Sequence, residues 1–150
     1  MKQRDQITMS GDEVAAFLAD ARKVQLATIN PDGAPHLVTM FYGLSAGRIA
    51  FWTYRTSQKA RNLARDPRVT CLVEAGEEYF DLRGVQIAGT VTPIFDLAGV
   101  TEVGKLIAAG MRDVPAEALD AYVAHAATKR TGYLVTPAKV ASWDHRKLLS

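Results

Sequence analysis

Phe51-Trp52-Thr53-Tyr54-Arg55-Thr56-Ser57-Gln58-Lys59-Ala60-Arg61-Asn62-Leu63 carries two periodicities on either side of one polar turn. Before the turn, residues 49–53 form a short apolar, β-rich run, the pattern of a buried strand. After it, Ala60, Leu63 and Ala64 recur at helical spacing, which predicts a helix over about 57–65 with those three on its inward stripe. Hydroxyls and cations gather at the junction: Thr53, Arg55, Thr56, Ser57 and Lys59. A helix N-terminus offers unpaired N–H groups and the positive end of the helix dipole, so an anion such as a phosphate suits it. The same letters also describe an ordinary surface helix capped by Ser or Thr, and that arrangement is the commoner one.

Moving outward, Ser10-Gly11-Asp12-Glu13 reads as a capping box, with Val14, Phe17, Leu18 and Ala21 behind it at helical spacing. A helix over 11–22 is predicted. Residues 24–30 alternate as a strand, Pro31-Asp32-Gly33 reads as a turn, and 35–42 returns as the second strand of a hairpin. Leu44-Ser45-Ala46-Gly47 makes the next turn and 48–53 the third strand. Asp66-Pro67 stops the helix after it. Residues 68–75 form a fourth strand and 79–92 a long fifth, with Gly84 and Gly89 as bend or bulge points. Residues 96–111 and 116–129 read as helices, and strands over 131–136 and 140–143 follow, separated by Pro137. Antiparallel hairpins with one helix crossing between the third and fourth strands predict a mainly β fold, a small barrel with added helices. The length fits a single domain over 1–150.

The composition narrows the function classes. The chain has 150 residues, 48% hydrophobic and 23% charged, with a net charge of +2, which gives no electrostatic case for nucleic acid. No stretch approaches the roughly 20 apolar residues that span a bilayer, and no secretory h-region follows the polar start, so a cytoplasmic location is expected. The lone Cys71 lies in an apolar run and reads as a small buried hydrophobe. His36, His125 and His145 have no ligand spacing, and no metal site is expected. No dinucleotide or P-loop glycine pattern and no nucleophile elbow is present, and no catalytic residue stands out.

Three further segments carry open alternatives. In His36-Leu37-Val38-Thr39-Met40-Phe41-Tyr42 both faces are largely apolar. That fits a central barrel strand covered on both sides, or a strand with a flat ring-shaped ligand against one face. Gln86, between Val85 and Ile87, is a ligand contact or a solvated rim position. Trp143, ahead of Asp144-His145-Arg146, covers the barrel edge or reaches a neighbouring subunit.

Five segments in this order resemble the pyridoxamine 5′-phosphate oxidase-like split β-barrel superfamily, which binds flavins such as FMN. They are Pro31-Asp32-Gly33-Ala34-Pro35-His36, the run from Phe51 to Lys59, the run from Asn62 to Val69, the run from Arg83 to Gly89, and Ser142-Trp143-Asp144-His145-Arg146-Lys147-Leu148. Within it, the runs from Lys59 to Val69 and from Ser142 to Leu148 are most similar to the actinobacterial branch that uses the deazaflavin F420. The resemblance implies a split barrel forming a homodimer with two cofactors at the interface. It puts the cofactor phosphate on Arg55, Thr56, Ser57, Gln58 and Lys59. The ring would lie against Val38, Thr39, Met40 and Phe41, with Trp52 and Thr53 nearby, and Gln86 and Trp143 would come from the partner. The implied activity is F420H2-dependent reduction of a small conjugated acceptor: an enone, a coumarin-like lactone, a quinone or a tetrapyrrole. An FMN-dependent oxidoreductase and a non-enzymatic flavin or haem protein are the alternatives. Arg55, Lys59, Arg61 and Arg65 would suit the anionic tail of F420. Tyr42, Tyr79 and His145 are weak candidates for a proton donor, and solvent can serve instead.

Overall fold

The computed structural model describes all residues, 1–150. A one-and-a-half-turn helix not expected from the polar start, α1 (Gln3–Ile7), is tied down by buried Ile7. Helix α2 (Gly11–Asp20) carries the expected capping box: Glu13 N–H donates to Ser10 Oγ at 3.1 Å, and Ser10 N–H to Glu13 Oε1 at 2.9 Å. Strands β1 (Lys23–Ile29) and β2 (Pro35–Phe41) form the first hairpin, with Gly33 at φ 86° in its turn. Leu44 and Ser45, expected in a turn, join Gly43 in a short strand instead, β3 (Gly43–Ser45), paired with β4 (Arg48–Tyr54). Ala46 and Gly47 alone make the connection, both at positive φ, the two-residue geometry that matches strand twist.

Helix α3 (Gln58–Arg65) leads to β5 (Arg68–Ala75). The long fifth strand begins later than its pattern suggested. Tyr79–Asp81 form a 3-10 turn, and β6 runs Arg83–Ile94. Helices α4 (Leu97–Ala108) and α5 (Ala116–Ala127) follow, Asp96 capping the first through its bond from Gly99 N–H at 2.9 Å. Pro137 does not divide the final strand: β7 runs unbroken over Arg130–Asp144 before a last 3-10 turn, His145–Leu149. Pro137 stands opposite Gly89, where the β6–β7 register shifts between Ala88 and Gly89. A bulge tolerates the missing N–H there, so the break predicted at the proline becomes a bend.

All pairings are antiparallel, in one seven-stranded sheet of order β2-β1-β5-β6-β7-β4-β3. Strands β2 and β3 lie at opposite ends of that order but are separated in sequence only by Tyr42. The sheet therefore curls until its two edges meet at that residue, making the split barrel. Tyr42 secures the corner: its N–H donates to Arg22 O at 3.0 Å and its hydroxyl to Leu18 O at 2.6 Å. The second strand is thus an edge strand, not a central one covered on both sides.

Inside the curl, Val24, Leu26, Phe51, Cys71, Val73 and Val85 are at most 1% exposed. Phe51 stacks on Tyr133 with ring centroids 5.0 Å apart. Outside it, Ala50, Val103 and Ile107 form a second small core with Trp52 and Met111 packed against it. The pleat explains both: alternate residues of β4 serve the barrel interior and the surface under α4. No helix is long and apolar enough to cross a membrane.

Candidate functional site

A cleft of about 310 Å³ opens between β2, β4, the start of α3 and the α4–α5 pair. Thr39, Met40, Phe41, Trp52, Thr53 and Lys59, six of the expected contacts, line it together. Tyr54, Arg130, Gly104 of α4, Tyr122 of α5 and Met111 from the connection between those helices complete the wall. These were not singled out beforehand. Nothing local in the sequence ties residues 104–130 to strand β4.

The junction of β4 and α3 folds as a capped turn. Ser57 is the N-cap: its Oγ accepts from Ala60 N–H at 3.1 Å and from Thr53 Oγ1 at 3.2 Å. Ser57 N–H donates to Tyr54 O at 3.0 Å, closing the turn. The cations around it divide into two kinds. Arg55 donates to Thr128 O at 2.8 Å, Arg61 to Thr56 O at 3.1 Å and Gln58 Oε1 at 2.8 Å, and Arg65 to Ile29 O. Lys59 makes no hydrogen bond or ion pair within the chain, although it is half-buried on the cleft. Desolvation pulls its ammonium below the ordinary lysine value. An unpaired, partly desolvated ammonium is unfavourable unless an anion joins it.

The remaining expected contacts lie elsewhere. Val38 turns inward and packs on the main core, one pleat out of phase with Thr39. Arg55 and Thr56 are exposed beside the turn, outside the cleft lining. Gln58 donates to Asn62 Oδ1 at 2.8 Å and borders a shallow polar depression with Asn30, Asp32 and His36. Gln86 is exposed, and with Trp143 it lines a different cavity, bordered also by α1 and α2 residues. Trp143 lies across Gly84, its cross-strand partner, where a Cβ would strike the indole. His145 bonds Tyr79 O at 2.7 Å through Nδ1, and no histidine lines the first cleft.

On the inner side of α3 the expected stripe is partly wrong. Ala60 and Leu63 are buried, but Ala64 is exposed and Asn62 is the third buried residue. Asn62 donates 3.0 Å bonds to both Thr28 Oγ1 and Asn30 Oδ1, tying the helix to β1. An Asn with waiting polar partners on the strand replaces the alanine that hydropathy alone would choose.

A family model described as pyridoxamine 5′-phosphate oxidase matches residues 10–144. A pyridoxine/pyridoxamine 5′-phosphate oxidase of Rhodopseudomonas palustris (strain TIE-1) is 34% identical over 92 residues, covering 55% of this chain and 42% of that protein. The chain therefore spans less than half the length of this curated relative. The crystal structure of a conserved hypothetical protein, Rv2991, from Mycobacterium tuberculosis superposes with a TM-score of 0.91 at 39% identity, over 100% of this chain and 94% of that one. A structure named F420 reductase superposes with a TM-score of 0.61 at 21% identity, over 84% of this chain and 94% of that one, a likeness of fold.

Proposed function

The chain belongs to the pyridoxamine 5′-phosphate oxidase family, and we propose that it is a reductase working with a phosphorylated deazaflavin, F420, held in the cleft beside Lys59. The observation that carries this reading is the free, half-buried Lys59 ammonium at the start of α3, facing a cavity walled by Phe41, Trp52 and Tyr54. Lys59 and the first N–H groups of α3 would hold the phosphate. Thr39, Met40, Phe41 and Trp52 would offer the ring a flat apolar surface. When bound, such a coenzyme supplies the hydride, and the protein supplies position and exclusion of water. Tyr42, Tyr79 and His145 do not line the cleft, so the proton completing the product would come from solvent or from Tyr54 or Tyr122, which do.

The reading includes a homodimer. Leu37 and Phe41, on the outer face of edge strand β2, are 68% and 51% exposed. A second copy covering that face would bring its own Gln86 and Trp143 toward the ring, which gives those two residues a role that one chain does not. Resemblance in the runs from Lys59 to Val69 and from Ser142 to Leu148 favours F420 over FMN. The intramolecular bonds of Arg55, Arg61 and Arg65 reduce the support those cations lend to a tail site. The resemblance to the FMN-binding split-barrel superfamily makes FMN the second reading.

Calorimetric titration with F420, FMN and riboflavin separates them. Micromolar F420 affinity with none for FMN is expected; the reverse replaces F420 by FMN, and binding of neither removes the reductase. Lys59→Ala should weaken F420 binding by about 1–3 kcal/mol while leaving binding of the phosphate-free deazaflavin riboside unaffected. An unchanged affinity takes Lys59 out of the site. Because burial already depresses the Lys59 ammonium, wild-type affinity should begin to fall at a pH below 10.5, the ordinary lysine value, as the charge is lost.

A further inference from the structure

The cleft contains a second cation that the phosphate reading does not use. Arg130 opens β7 directly opposite Tyr54 of β4. Its guanidinium lies 4.1 Å from the Tyr54 ring centroid and 5.1 Å from that of Trp52. It makes one hydrogen bond, from Nη1 to Ala126 O at 3.1 Å, and no ion pair, although it is half-buried. Neither Asp nor Glu lines the cavity, so Lys59 and Arg130 face it with no counter-charge.

Holding the guanidinium there has a consequence for recognition. Its position against two rings and its bond to Ala126 O restrain the guanidinium, and a restrained planar fork matches a carboxylate better than a mobile ammonium does. The bond to Ala126 O leaves Nε and Nη2 without partners. The wall next to it comes from α4, α5 and their connection, with Ile107, Met111, Tyr122 and Val123, so what sits there is apolar apart from its charged group. We propose that Arg130 reads a carboxylate on the molecule that enters beside the α4–α5 pair, so that the acceptor is a planar, conjugated acid. This rests on the cleft being the reductase site proposed above. The competing role for Arg130 is purely structural, as a cap on the last turn of α5.

The test compares two probes that differ in one charge, coumarin-3-carboxylate and its ethyl ester, by calorimetry. Wild type should bind the acid about ten-fold more tightly than the ester, the scale of one charged hydrogen bond. Arg130→Met should bring the two affinities together without weakening the ester, and Arg130→Lys should restore part of the preference. A structural cap lost in Arg130→Met lowers the melting temperature but does not change the ratio of two ligands. Equal affinities in wild type, a preference that survives Arg130→Met, or no binding of either probe at millimolar concentration overturns the proposal. Repeating the titration with the protein saturated with its coenzyme distinguishes the source of the carboxylate. A preference that then vanishes means Arg130 reads the coenzyme's own acidic tail, which overturns the assignment to the acceptor. Coenzyme binding that fails while the acid preference stands removes the redox reading and supports Arg130 as a carboxylate reader. Coenzyme binding without acid preference removes Arg130 alone.

Discussion

Asn62 illustrates what a residue's neighbours decide. It has no exposed surface, and it joins α3 to β1 through Thr28 and Asn30. Removing its amide leaves the Thr28 hydroxyl and the Asn30 side chain without that donor inside the protein. Asn62→Ala should therefore cost about 1–3 kcal/mol in urea unfolding. A change of only a few tenths would mean water replaces the amide. Periodicity placed a buried residue near this position but chose Ala64, because an isolated Asn scores as polar until its partners on another strand are known. Asp144 carries a pH dependence of its own. Its buried carboxylate accepts from Arg146 N–H at 3.0 Å, Nε at 2.9 Å and Nη2 at 2.8 Å. These bonds hold its pKa below the ordinary 3.8. A group depressed in the native state stabilises the fold above its unfolded pKa and loses that contribution as the pH falls through the native value. Asp144→Asn should flatten the acid limb of stability below about pH 4. An acid limb identical to wild type would mean the ion pair contributes nothing.

At the scale of elements, the packing of α4 on β4 controls the cleft. Gly104 of α4 lies against the Trp52 ring, and an added Cβ would overlap it and approach Val123 Cγ1 to 2.8 Å. Gly104→Ala should displace Trp52, shift its fluorescence, and destabilise the protein by about 1–3 kcal/mol, as overpacking does. Unchanged emission with wild-type stability would mean the helix slides away without disturbing the wall. Helix α3, its Ser57 cap and the hairpins were legible locally, since capping and turn chemistry act within a few residues. The single β7 was not. Pro137 is a strand breaker in sequence, and only the bulge opposite Gly89 on β6 allows the strand to continue.

For the whole molecule, closure of the sheet leaves β2 at an edge with its Leu37 and Phe41 face uncovered. If a second copy covers it, wild type sediments as a dimer, and Leu37→Glu, a change outside the cleft, sediments as a monomer with weaker coenzyme binding. A wild-type monomer that binds coenzyme at full strength would remove the dimer from the proposal. The sequence alone determined the mainly antiparallel barrel, the capped helix after strand β4 and the cluster of cations there, because alternation, caps and turns are written in neighbouring residues. Tertiary structure alone decided which of those cations is free. It also set β2 at an edge, separated Gln86 and Trp143 from the cleft, and brought Arg130 from the far end of the chain onto Tyr54. Those outcomes depend on which backbone carbonyls and rings lie nearby after the sheet curls, and such distances between remote segments have no local signature.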